Sequence, residues 1–309
     1  LSSPLTWAPV MNDLQADPIL RERYQLWYYY YPTGAPYLAS AAELRRELEQ
    51  LREEVDPNHQ DAALDNMVFV GHSMGGLISK LMTLNSGDDF WKLVSEEPFD
   101  KVTLPDAARE ELQQTFFFQR ESCVTRCIFI GTPHHGSKLS PSPLGRLAVH
   151  LVRLPHDLMT ASHDLIKDNP DLPTLLHTRP LPTSVDLLAP NAPALELMAA
   201  RPRPQRVHYH TIAGVVSTAT TDVERWIIGE GCDPGDGIVP YKSAHIEGAD
   251  SELVVPADHF HVHHHPLAIQ EVRRILMEHY QAFIRQKDGR RELQLTSSDA
   301  HEDAAPTKP

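Results

Sequence analysis

The stretch Met67-Val-Phe-Val-Gly-His-Ser-Met-Gly-Gly-Leu77 decides how this chain is read. It sets Ser73 in a G-x-S-x-G pentapeptide (Gly71, His72, Ser73, Met74, Gly75), directly behind an apolar run and directly ahead of a helical pattern. The five letters alone are a weak signal, but their context is a strong one. A nucleophile elbow is a strand–turn–helix in which the serine sits on a sharp, strained turn. That strain is steric, so the neighbouring side chains must be small, and glycine at 71 and 75 meets the requirement.

Working outward, Asn66–Val70 reads as the strand feeding the elbow, and Met74 to about Asn85 as its helix, with Gly87 as a stop signal. Gln25–Tyr31 (QLWYYYY) has the aromatic richness of a buried strand, stopped by Pro32-Thr33-Gly34. Ser40 followed by Glu43 predicts a capping box for a helix striped by Leu44, Leu48, Leu51 and Val55 and ended by Asp56-Pro57. Val124–Ile130 is a further strand, and 207–212 and 252–255 resume strand character. The final helix is predicted from Pro266 to about Gln286, and the polar residues 287–309 are expected to be a disordered tail. Residues 138–205 are Pro-rich, with helical patches and no strand signal. A stretch of that length between strands reads as an inserted cap rather than a loop. The resulting division is a core of 1–137 and 206–286 with a cap or lid at 138–205. Strands alternating with helices imply an α/β fold, a mainly parallel sheet covered on both faces.

Composition narrows the partners. Asp plus Glu number 42 against 28 Lys plus Arg, a formal charge of −14, which argues against nucleic acid or an anionic membrane as an electrostatic partner. No apolar run approaches the ~20 residues of a membrane span. Cys123 and Cys127 share one strand, where four residues span ~13 Å, so they cannot pair with each other. A bond from either to Cys232 stays open. The chain begins at Leu1 in loop-like Ser-Ser-Pro-Leu-Thr, without Met or signal-peptide character, and reads as a fragment lacking its N-terminal part.

A serine hydroxyl needs a histidine base, and the base needs a carboxylate to orient it and to stabilise imidazolium. With an elbow serine the chain order is Ser, then Asp or Glu, then His, the last two following late strands. Gly235-Asp236-Gly237 and Pro256-Ala257-Asp258-His259 occupy those places. Asp236 is the favoured acid, with Asp233 its rival. His259 is the favoured base, first after its strand, with His263 the runner-up among His259, His261, His263, His264 and His265. That cluster has no H-E-x-x-H or paired C-x-x-C spacing, so no metal is expected, and His134-His135 read as wall residues of the site. The Met74 amide is the expected first donor to an oxyanion.

Four segments together resemble the serine esterases and lipases of the α/β-hydrolase superfamily, in a bacterial lipase-like branch. They are GHSMGG at 71–76, GTPHHGS at 131–137, GDGIVP at 235–240 and DHFHVHHHP at 258–266, in the right order across most of residues 25–285. The resemblance implies a carboxylic-ester hydrolase working through Ser73, Asp236 and His259 and an acyl-enzyme, with no cofactor and a small-molecule or lipid ester as substrate. It also implies a second oxyanion donor from an early loop, which maps to Leu1, although the His-Gly dipeptide that usually precedes this donor is absent. Acyl transfer or deacylation of a lipid-linked substrate would use the same triad, an amidase or peptidase would differ by turning over amides, and a non-catalytic binding protein would keep only the fold.

Overall fold

The computed structural model describes residues 4–137, 156–169, 187–216 and 234–302. Helices α1 (Ala8–Ala16), α2 (Pro18–Arg23) and α3 (Tyr37–Val55) precede β1 (Met67–His72) and α4 (Met74–Leu81). Next come α5 (Asp89–Lys92), α6 (Asp106–Phe116) and β2 (Val124–Ile130). Between β2 and β3 (His208–Gly214) lie α7 (His156–Asp168) and α8 (Pro193–Ala200). The chain continues through α9 (Tyr241–Ala244), β4 (Ser251–Val255) and α10 (Pro266–Glu302).

Among the described residues, four strands form one sheet in the order β1-β2-β3-β4, every neighbouring pair parallel. Side chains of β2 alternate between its two faces. Cys127 and Phe129 pack with Leu48 of α3 and with Met82 just beyond α4. Ile128 and Ile130 pack on the other side with Val10 and Leu14 of α1 and Val272 and Ile275 of α10. A sheet buried on both faces needs apolar residues at consecutive positions, which is why β2 reads as a run rather than an alternation. Leu77, Ile78 and Leu81 turn the other flank of α4 into the largest apolar cluster described, where Leu112, Leu165 and Leu195 of α6, α7 and α8 join them. The described parts of the 138–205 stretch therefore share the core of the helices around the elbow. No helix among the described residues is long and apolar enough to cross a membrane.

Several sequence expectations are corrected. Gln25–Tyr31 pairs with no strand among the described residues, and Trp27 and Tyr30 are 48% and 77% exposed. A strand requires a ladder partner for its backbone, and this segment has none among the described residues. Its inward-facing tyrosines anchor it instead: Tyr29 donates to the Ser40 carbonyl at 2.7 Å and stacks on Tyr31. The capping box at Ser40 does not form. Burial of Tyr37 and Leu38 carries the helix start back to Tyr37, placing Ser40 inside α3, where its hydroxyl has no partner. The last helix is longer than expected, passing Lys287 and running to Glu302. Residues 303–309 lie outside the described residues. Cys123 and Cys127 are both free and buried, and Cys232 lies outside the described residues.

Candidate active site

Ser73 occupies the single residue between β1 and α4, at φ 55° and ψ −126°. A non-glycine residue holds such a conformation only where its surroundings over-determine it. Here the Ser73 amide continues the ladder to the Ile130 carbonyl at 2.9 Å, while its own carbonyl accepts from Gly76 at 3.0 Å. The tight positions are not quite those expected. A Cβ on Gly71 would collide with the Gly75–Gly76 peptide and one on Gly76 with the Thr132 side chain, whereas Gly75 is bounded more loosely by the Tyr31 hydroxyl at 3.2 Å. Gly76 and Thr132 are thus part of the turn's packing; the doubled glycine and the Gly-Thr-Pro after β2 were the only hints of it.

The expected acid, Asp236, follows β3 and the expected base, His259, follows β4. Asp236 is 2% exposed. Its Oδ1 accepts the amides of Ile238 and Val239 at 3.0 and 2.7 Å, an Asx turn that fixes the carboxylate plane. Its Oδ2 lies 2.7 Å from Nδ1 of His259. A carboxylate accepts only, so Nδ1 carries the hydrogen and Nε2 offers a lone pair. That Nε2 lies 2.9 Å from Ser73 Oγ. The amide of His259 also donates to the Asp236 carbonyl at 2.9 Å, so backbone and side chain hold the same pair together. Space for it comes from Gly131 at φ 54°, where a Cβ would stand 3.1 Å from Asp236 Oδ2.

The other named residues divide clearly. His263, the alternative base, is buried but does not meet the serine; its Nε2 donates to the Thr6 carbonyl at 3.2 Å and its ring packs on Trp7. Burial and the neighbouring His264 push its pKa down to about 4. His261 is exposed and pairs with Asp258. His134 is buried edge-on against Phe129, with neither ring nitrogen partnered, rather than lining an open wall. Burial, with Lys80 nearby, holds it neutral. Asp233, the rival acid, and Leu1, the expected second oxyanion donor, lie outside the described residues. Met74 opens α4, so its N–H is among those a helix start leaves without an intrahelical acceptor. A cavity of about 360 Å³ lined by Met11, Leu14, Leu20, Tyr24, Trp27 and Leu276 contains none of the Ser73, Asp236 and His259 group. It is separate from this site.

A parallel sheet covered on both faces, with a strained serine on the strand-to-helix turn and an Asp–His pair delivered by later strand ends, is the α/β-hydrolase fold. No model of a known protein family matches the chain, and no curated protein matches it. Among solved structures it is similar to the mature form of the Bacillus licheniformis lipase BlEst2, at 17% identity and a TM-score of 0.45, covering 89% of this chain and 87% of that one. It is similar to phospholipase PlaB from Legionella pneumophila at 12% identity and a TM-score of 0.43, covering 80% of this chain and 44% of that one. EstA from Clostridium botulinum matches at 13% identity and a TM-score of 0.36, with 63% and 59% covered.

Proposed function

We propose that the protein is a serine hydrolase of carboxylic esters. The observation that carries this reading is the unbroken hydrogen-bond chain from Ser73 Oγ through His259 to Asp236, starting at a serine held in elbow geometry. Ser73 Oγ attacks the ester carbonyl while its proton passes to His259 Nε2. The tetrahedral oxyanion is held by the Met74 amide at the head of α4 and by a second donor. His259 then protonates the departing alkoxide, which leaves as the alcohol, and the acyl group stays on Ser73. Water, deprotonated by His259, attacks the acyl-enzyme, releasing the acid and restoring the serine. Asp236 stabilises the imidazolium in both halves.

The 138–205 insertion acts as a cap over an apolar acyl site in this reading, and the substrate is a small-molecule or lipid ester. Turnover of p-nitrophenyl esters from acetyl to palmitoyl tests it. Ester hydrolysis by the wild type and its loss in Ser73→Ala are expected; equal turnover by the two proteins contradicts the assignment. A rise in rate as the longer substrates pass their micelle threshold would mark a lipase, and saturation on short chains an esterase.

A further inference from the structure

We propose that His72, the residue immediately before the nucleophile, is a positioning residue that locks the loop bearing the base to the elbow. The proposal rests on the reading of Ser73 and His259 as nucleophile and base. His72 ends β1, and its Nε2 lies 2.8 Å from the backbone carbonyl of His259. A carbonyl can only accept, so Nε2 must carry the hydrogen. The ring stands between two others, 4.9 Å from that of His259 and 4.5 Å from that of His263. His263 is in turn held by Thr6 and Trp7, so His72 is backed by the first helical turns of the chain. Burial, with His259 and His263 beside it, keeps the His72 pKa well below the ordinary histidine value. The ring is therefore neutral near neutral pH, with its single hydrogen on Nε2.

The consequence is mechanical. His259 sits on a loop after β4, and loops hold side chains less firmly than strands do. Its amide is fixed by the Asp236 carbonyl and its carbonyl by His72. Both peptide groups flanking the base are therefore tied to residues of the same constellation, one to the acid and one to the neighbour of the nucleophile. Reaction rates are sensitive to sub-ångström placement, and a displacement of about 1 Å costs on the order of 100-fold.

The test compares His72→Gln, His72→Asn and His72→Leu in kcat and KM on p-nitrophenyl butyrate, with a thermal melt of each. The terminal nitrogen of glutamine lies as many bonds from Cβ as Nε2 does, whereas that of asparagine is one bond short. His72→Gln is expected to keep kcat within about threefold of wild type, while Asn and Leu lose roughly 10- to 100-fold in kcat with KM little changed. Equal kcat for the Gln and Asn variants, or a Leu variant as fast as wild type, overturns the proposal. Should the Leu variant fail to fold, the Gln–Asn comparison decides alone. Ser73→Ala is run alongside: turnover that survives it removes the catalytic reading itself, whereas turnover that depends on Ser73 but ignores the residue at 72 removes only the positioning role.

Discussion

Asp236 makes two separable demands on its side chain. Oδ1 builds the Asx turn with Ile238 and Val239, and Oδ2 meets Nδ1 of His259. Asparagine can satisfy the first but presents an N–H to the ring in place of a lone pair, which drives the hydrogen from Nδ1 to Nε2. His259 then has nothing with which to accept the Ser73 proton. Asp236→Asn should therefore fold normally and lose about 10³- to 10⁴-fold in kcat. A loss under tenfold would mean that the carboxylate does not set the tautomer. Much of this was legible in the sequence, because the order Ser73, Asp236, His259 follows from where strands end. What singled out His259 among the five histidines was its place first after β4; that His263 faces Thr6 and Trp7 depends on how the N-terminal helices pack, which no local pattern encodes.

At the scale of elements, β2 was read with the bounds it has, since a run of seven residues buried on both faces has few other uses. The aromatic run before Pro32 failed for the converse reason: β-propensity describes fitness for a pleated surface and does not supply a neighbour to pair with. The apparent capping box at Ser40 failed because burial of Tyr37 and Leu38 outweighs a cap's contribution of about 1 kcal/mol. That difference is measurable. If Ser40 were the cap, Ser40→Ala would cost about 1 kcal/mol. With its hydroxyl buried and unpartnered inside α3, the substitution should instead be neutral or stabilising in urea denaturation. A loss near 1 kcal/mol would restore the cap and contradict the helix start at Tyr37.

For the whole molecule, buried histidines set the response to acid. His210, His263 and His279 are all buried, and each is pushed down to about 4, chiefly by desolvation, with Arg126 adding to the effect at His210 and His279 and His264 at His263. In the unfolded chain each titrates near ~6.5. As pH falls below that value, the unfolded state takes up protons that the native state refuses. Stability is therefore full above about pH 6.5 and is lost progressively toward pH 4. Each histidine contributes on the order of 1–2 kcal/mol to the loss by pH 5. The urea midpoint should accordingly drop between pH 7.5 and pH 5; an unchanged midpoint would show that these rings are solvated or protonated in the native state.

Ser73, strained on its turn and hydrogen-bonded to His259, is the proposed nucleophile. Active-site labelling tests it most directly. A fluorophosphonate probe, followed by digestion and mass spectrometry, should place a single adduct on the peptide carrying Ser73. The adduct should vanish in Ser73→Ala and form far more slowly in His259→Ala. Labelling that survives Ser73→Ala, or an adduct mapped to another residue, would contradict the account.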